Sequence, residues 1–200
     1  MNPSLPKPES RPSGAAILVA AGKGLRAGEG EPKQFRRLGG VPLVALSARP
    51  FLASGRFARM ILVVPEPGEA RERLQGFLGE GCPIEFVAGG ATRQDSTAAG
   101  LEAAAAAEIV LVHDGARPFV DTTLIDRVWE AACRHGAAVP VMPVQETLKR
   151  VDAQGALAGT ANRAEFALAQ TPQGFRREIL GTALEWARSR NFVGTDEAEI

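Results

Sequence analysis

The sequence predicts an α/β fold, a mostly parallel β-sheet with helices on both faces and a β-hairpin arm inserted late in the chain. Three observations predict it. From Ala15 onward, short apolar runs alternate with longer amphipathic stretches, a spacing that fits βαβ units with right-handed crossovers. A glycine-rich turn follows the first apolar run directly, as at the ligand-binding ends of parallel strands. One stretch, residues 146–161, breaks the alternation with two short extended segments around a four-residue loop.

The first thirteen residues hold Pro3, Pro6, Pro8 and Pro12 among polar and charged residues, a composition with too little apolar surface to order itself. Residues 1–13 are therefore expected to be a disordered tail, and 14–200 a single domain. The apolar runs at 15–20, 60–64, 84–87, 109–113 and 137–141 are predicted as strands buried on both faces. The stretches at 43–53, 69–78, 92–107, 122–135 and 176–188 are predicted as the helices between and after them. Residues 146–151 and 156–161 flank Asp152-Ala153-Gln154-Gly155, whose glycine can take positive φ, so they are predicted as a hairpin within an arm at about 142–168. With no helix to cover it, such an arm lies over the site or reaches a second subunit; an idle surface hairpin is the alternative. There is no internal repeat.

With 200 residues, 45% hydrophobic and 23% charged, the chain has the balance of a globular domain, which excludes collagen, coiled coil and wholesale disorder. Cys82 and Cys133 make neither a disulfide framework nor a zinc site, so a reducing cytoplasm is the expected compartment. No apolar run approaches the ~18 residues of a membrane span, and the expectation is no membrane partner. A net charge of zero argues against nucleic acid, yet the charge is unevenly spread. Up to Pro65 there are ten Lys or Arg against three acids, a balance of +7, and no acid lies between Glu31 and Glu66. Either an anion meets this third of the chain, or it presents a solvated basic face neutralised by acidic helices elsewhere.

The glycine turn is Ala20-Ala21-Gly22-Lys23-Gly24-Leu25-Arg26-Ala27. Glycines after a buried strand let backbone N–H groups come close to an anion, and phosphate is the natural guest. Gly22, Gly24 and Ala27 satisfy the loose dinucleotide pattern, but the acid that should hold the ribose ~20 residues later is missing and the P-loop pattern is absent. What remains is a phosphate loop with its own cations, Arg26 and Lys33, which suits phosphoryl or nucleotidyl transfer. Asp114, in His113-Asp114-Gly115-Ala116-Arg117-Pro118, surfaces at the end of a buried strand and is placed to hold Mg²⁺; a structural salt bridge with Arg117 is the alternative. His113 points to the opposite face and reads as a hydrogen-bonded core histidine. A second glycine turn, Gly89-Gly90, precedes Arg93 and Ser96; its glycines can pass close to a base or ribose, while Ser96 can equally be an ordinary polar residue of a first helical turn.

Seven segments together carry a resemblance: the Ala20–Arg26 run, Pro32-Lys33-Gln34-Phe35, Arg93-Gln94-Asp95-Ser96, His113 to Pro118, Glu146-Thr147-Leu148-Lys149-Arg150, Thr171-Pro172-Gln173-Gly174-Phe175 and Thr195-Asp196-Glu197-Ala198. In this order they resemble the 2-C-methyl-D-erythritol 4-phosphate cytidylyltransferase family. The resemblance implies a Rossmann-like fold of the nucleotide-diphospho-sugar transferase type. It also implies attack of the methylerythritol phosphate on the α-phosphorus of CTP, giving CDP-methylerythritol and pyrophosphate for isoprenoid biosynthesis. By that resemblance Arg26 and Lys33 stabilise the transition state. Ala20, Ala21, Gly22, Gly24, Arg26, Lys33, Gly89, Gly90, Arg93 and Ser96 bind CTP. Asp114 holds Mg²⁺ or substrate hydroxyls, Arg117 assists at the sugar phosphate, and Thr147, Arg163, Thr171 and Thr195 bind the methylerythritol phosphate. Arg163 and Thr171 are expected to reach across a homodimer built through the arm.

Members of that family continue past the Thr-Asp-Glu-Ala segment into a further piece with a phosphate-contacting lysine, whereas this sequence stops at Ile200 and its last lysine is Lys149. The expectation is an incomplete C-terminal end, from truncation or from a longer bifunctional protein, and weak or no turnover from these residues alone. Two other functions stand beside the first: a cytidylyltransferase for another polyol phosphate such as ribitol 5-phosphate, and a non-catalytic nucleotide-binding module. Ala116 before Arg117 resembles the methylerythritol enzymes more closely.

Overall fold

The computed structural model describes residues 12–22 and 31–200. Along the chain run β1 (Gly14–Val19), β2 (Arg37–Leu38), β3 (Val41–Pro42), α1 (Leu43–Ala53), β4 (Arg59–Val64), α2 (Pro67–Leu74), β5 (Ile84–Ala88) and α3 (Arg93–Ala103). There follow β6 (Ile109–Asp114), α4 (Thr122–His135), β7 (Ala137–Ala138), β8 (Val141–Pro143), β9 (Lys149–Val151), β10 (Leu157–Thr160), β11 (Ala167–Ala169), β12 (Gln173–Arg176) and α5 (Arg177–Ser189).

The central sheet has six strands in the order β5-β4-β1-β6-β12-β7. β5, β4, β1 and β6 are mutually parallel, and β12 runs antiparallel to both of its neighbours. Successive side chains of a strand point to opposite faces, and the core divides accordingly. Ala16, Leu18, Met60, Leu62, Val64, Ile109 and Leu111 pack under α1 and α4, against Val44, Phe51, Ile125 and Trp129. Ala15, Ile17, Ile61, Val63, Val110 and Val112 pack on the other face, against Leu101 of α3 and Leu180 and Leu184 of α5. Each such fully buried Leu or Ile contributes about 1.5–3 kcal/mol relative to exposure.

α1 and α4 span the predicted residues. In α4 the buried positions Ile125, Val128, Trp129 and Ala132 follow helical spacing, and the Asp121 carboxylate caps its start by accepting from the Leu124 N–H at 2.7 Å. α3 starts on a reciprocal cap, Asp95 N–H to Thr92 Oγ1 and Thr92 N–H to an Asp95 carboxylate oxygen, both at 3.0 Å. It ends at Ala103, four residues before the predicted end. α2 begins two residues early because Pro67 suits a first helical turn, and stops at Leu74, before Gln75-Gly76.

The predicted buried strand over 137–141 is absent. Val139-Pro140 divides it into β7, a short edge strand, and β8, which is exposed and belongs to the arm; a proline cannot donate to a ladder. β5 is only half buried because it lies at the opposite edge. The strand β12, short and containing a glycine, was not expected from the sequence pattern. Of the predicted tail, residues 1–11 lie outside the described residues. Ser13 is tied to the domain, its hydroxyl donating to the Ala106 carbonyl at 2.9 Å and its amide to Glu108 at 3.1 Å.

The arm is two nested ladders. β8 pairs antiparallel with β11, and beyond them β9 pairs antiparallel with β10. At its tip the Asp152 carboxylate accepts from the amides of Gln154 and Ala156, and Gly155 takes φ +85°, which closes the turn.

Candidate active site

In an open parallel sheet, ligands bind beyond the carboxyl ends of the strands, where the strand order reverses. Here the chain goes from β1 to β4 on one side and later to β6 on the other, so the reversal lies between β1 and β6. Three turns converge there through backbone bonds: Ala20 N–H to Val63 O at 2.7 Å, Gly89 N–H to Val64 O at 2.9 Å, and Gly115 N–H to Val19 O at 2.9 Å. Gly89 must be glycine for this approach, since a Cβ there would sit 2.1 Å from the Ala21 Cβ. Ser96 is buried and braces the second turn, donating to Thr92 O at 2.9 Å and accepting from the Gly90 amide at 3.2 Å.

Beside Gly22, a single 3-10 turn runs from Lys33 to Phe35. Buried Gln34 donates to the Gly22 carbonyl at 3.2 Å, which fixes this turn against the glycine turn and leaves Lys33 exposed next to it. Gly24 and Arg26 lie outside the described residues.

At the end of β6 stands a charged cluster. Asp114 accepts at one oxygen from Arg93, Nη2 at 3.0 Å and Nε at 3.3 Å, and at the other from Arg117 Nε at 2.8 Å. Burial alone would raise the Asp114 carboxyl; Arg93 and Arg117 outweigh that and hold it below the usual range, so it is ionised. Arg117 continues to Gln170 Oε1 at 2.6 Å. Arg93 turns its remaining edge to Glu197, whose carboxylate also accepts from the Thr97 hydroxyl at 2.6 Å, so both edges of the guanidinium that was expected to bind CTP are engaged by carboxylates instead. Burial by itself would lower Arg93, but Glu197 and Asp114 more than offset it.

His113 lies fully buried behind the cluster. Its Nε2 meets the Arg117 carbonyl at 3.0 Å and its Nδ1 the Thr171 hydroxyl at 2.8 Å. A carbonyl only accepts, so Nε2 carries the proton and the Thr171 hydroxyl donates to Nδ1. Burial pushes the imidazole down to about 4, which keeps it neutral, the core histidine that the sequence suggested.

The last residues dock onto α3 and β12. Gln94 donates to Phe192 O at 3.2 Å and accepts from the Gly194 amide at 3.1 Å. Gln173 donates to Asp196 at 2.8 Å, and the Thr195 hydroxyl donates to Glu199 at 2.8 Å. Arg117 and Thr171 join Asp114 directly, the Asp114 amide donating to the Thr171 hydroxyl at 3.4 Å. Thr171 is buried and held within its own chain, so it does not reach across a dimer as expected, and Thr195 arrives through its neighbours Asp196 and Glu197. Thr147 and Arg163 sit on the exposed arm, where Arg163 donates to the Gln145 carbonyl, and neither bonds to the cluster. Glu197, Gln170 and Gln173 escaped the sequence reading as functional residues, although Glu197 and Gln173 stand inside segments it had singled out.

Asp114 does not fit a divalent cation as its side chains stand. Both of its oxygens are committed to guanidinium groups, and a metal there would meet two positive charges. Among the described residues, no group of three or more His, Cys, Asp or Glu gathers to hold a metal.

The family model described as "IspD: 2-C-methyl-D-erythritol 4-phosphate cytidylyltransferase" matches residues 15–200. A "Bifunctional enzyme IspD/IspF" of Rhodopseudomonas palustris (strain HaA2) is 45% identical over 196 residues, covering 94% of this chain and 47% of the relative. A "2-C-methyl-D-erythritol 4-phosphate cytidylyltransferase" of Bacillus licheniformis is 41% identical over 186 residues, covering 92% and 80%. The chain therefore spans about half the length of its bifunctional relatives. Among solved structures, "4-diphosphocytidyl-2C-methyl-D-erythritolsynthase" from Anaerococcus prevotii DSM 20548 superposes with a TM-score of 0.80 at 28% identity, over 94% of this chain and 82% of the other. The "2-C-methyl-D-erythritol 4-phosphate cytidylyltransferase" from Thermus thermophilus gives 0.70 at 39% identity, over 92% and 80%.

Proposed function

The chain belongs to the 2-C-methyl-D-erythritol 4-phosphate cytidylyltransferase family, and from that premise we propose that it transfers CMP from CTP to methylerythritol 4-phosphate. The observation that carries this is the convergence of the Ala20, Gly89 and Gly115 turns at the strand reversal, with Lys33 on one side and the Asp114–Arg117 pair on the other. A phosphate oxygen of the methylerythritol substrate attacks the α-phosphorus of CTP; a new P–O bond forms as the α–β P–O bond breaks, and pyrophosphate leaves with the electron pair. The protein contributes position and neutralisation of charge.

In this reading the backbone amides of the Ala20–Gly22 and Gly89–Gly90 turns receive cytidine and its phosphates, and Lys33 with Arg26 stabilises the charge on the reacting phosphorus. Asp114 and Thr171 take substrate hydroxyls, Arg117 takes the sugar phosphate, and Thr195 closes the site. Mg²⁺ belongs with the CTP phosphates and not with Asp114, whose oxygens the arginines occupy. Thr147 and Arg163 serve the site of a second copy, in a homodimer joined by the arms. The arm's exposed Val141, Met142, Val151, Leu157, Phe166 and Leu168 support this, being an apolar surface on a segment that no helix covers. The free thiols of Cys82 and Cys133 suit the reducing cytoplasm, and among the described residues no helix is long and apolar enough to cross a membrane.

Pyrophosphate release from CTP, with methylerythritol 4-phosphate and ribitol 5-phosphate compared side by side, tests the proposal. Release with the first and not the second, and a fall of roughly 10²–10³ in kcat for Lys33→Ala, is the expected result. Preference for ribitol 5-phosphate, or CTP binding with no release from either by a chain extended with the further C-terminal piece of the family, refutes it.

A further inference from the structure

Glu197 is an unusual side chain for the place it occupies. It is 3% exposed, on a segment without regular secondary structure, and one of its carboxylate oxygens, Oε2, has no hydrogen-bond partner among the described residues. A buried ionisable group with an unmatched acceptor is unfavourable for folding, which points to a task. The other oxygen holds Arg93 and the Thr97 hydroxyl together. Arg93 is the first residue of α3 and has two edges in use: Nη1 on Glu197, and Nε with Nη2 on Asp114. Asp114 in turn holds Arg117 Nε, and Arg117 Nη1 holds Gln170. One chain of charge-assisted bonds thus runs from the C-terminal segment through α3 and the end of β6 to the residue before Thr171.

We propose that Glu197 is a positioning residue of the transfer: it fixes the Arg93 guanidinium, and through it the orientation in which Asp114 and Arg117 meet the polyol phosphate. This inference rests on the function proposed above. Without the Glu197 charge, Arg93 has a single carboxylate left and is drawn onto Asp114, where a bidentate grip competes with Arg117. Asp114 and Arg117 then lose their common geometry, while the glycine turns that receive CTP are untouched.

The test compares the wild type with Glu197→Gln, Glu197→Asp, Arg93→Gln and the double variant Glu197→Gln/Arg93→Gln. Glu197→Gln keeps the size of the side chain and an acceptor for Thr97. In steady-state pyrophosphate release it is expected to raise KM for methylerythritol 4-phosphate roughly ten- to a hundredfold, with KM for CTP within about twofold, in line with a displacement of up to about 1 Å at the reacting pair. Glu197→Asp recovers part of the loss, and the double variant is no worse than Arg93→Gln alone. Equal losses toward both substrates, or losses in the double variant that multiply, overturn the proposal. A second readout is independent of turnover: the Arg93 Nε–H resonance in ¹⁵N NMR is expected to be sharp and slowly exchanging in the wild type and broadened in Glu197→Gln. An unchanged resonance overturns the role of Glu197 whatever the kinetics show. A wild type that is silent with every polyol phosphate overturns the function instead, and the resonance still decides whether Glu197 holds Arg93.

Discussion

Replacing Gly89 by alanine tests whether the meeting of the two turns builds the nucleotide pocket. The new methyl carbon would lie 2.1 Å from the Ala21 Cβ and 2.9 Å from Ser96 Oγ, whereas ordinary contacts begin at 3.4 Å. The Ala20–Gly22 turn must therefore retreat by about 1 Å, because the neighbour is a short, rigid side chain on backbone held by the Val63 carbonyl. Misplacement on that scale lowers kcat/KM by roughly a hundredfold when it falls on the reacting geometry, and overpacking destabilises by about 1–3 kcal/mol. Calorimetric titration with CTP and kinetics with CTP varied are the assays. The loss is expected in CTP affinity and in kcat/KM for CTP, with KM for the polyol phosphate little changed. Gly22→Ala is the companion variant: a Cβ there meets nothing within 4 Å, so stability should hold, and any loss of CTP affinity reports the ligand's own approach to that backbone. Wild-type CTP affinity in Gly89→Ala refutes the reasoning, since the turns would then be dispensable for nucleotide binding.

Leu157→Glu, at a side chain 72% exposed on the arm, is expected to leave the domain folded and convert a dimer to monomers in sedimentation velocity; a wild type that is already monomeric refutes the arm's proposed role. His113, held to about 4 by burial against an ordinary 6.5, contributes stability that is present above pH 6.5 and declines as pH falls toward 4. The size is on the order of 3 kcal/mol, and Asp114, lowered by Arg93 and Arg117, adds its own loss below the ordinary carboxylate range. Urea unfolding between pH 7 and 4.5 should show that decline in the wild type and a flatter profile in His113→Asn; equal slopes refute the assignment.

Much of the fold was legible because its cause is local. The apolar runs of β1, β4 and β6 need no tertiary information to be recognised, and α4 announces itself through Asp121 and the spacing of Ile125, Val128, Trp129 and Ala132. β12 was not legible: Gln173-Gly174-Phe175-Arg176 has no alternation to read, and it becomes a strand because β6 offers it a free edge in the opposite direction. Val139-Pro140 was visible, yet read within an apolar run it did not outweigh hydrophobicity. In the site, the turns were readable as glycine after strand. The Arg93–Asp114 and Arg93–Glu197 pairs, 21 and 104 residues apart in sequence, were not, because the first forms only when α3 packs on the sheet beside the end of β6 and the second only when the C-terminal segment docks on α3. Asp114 accordingly looked like a metal ligand in isolation and proved to be engaged by two arginines.

The most direct measurement follows the atoms. Methylerythritol 4-phosphate labelled with ¹⁸O in its phosphate is incubated with CTP and the protein, and the products are read by ³¹P NMR and mass spectrometry. Attack of the sugar phosphate on the α-phosphorus yields CDP-methylerythritol with ¹⁸O in the bridge between its two phosphorus atoms, together with unlabelled pyrophosphate. Label in the pyrophosphate, or consumption of CTP without a coupled product, would contradict it.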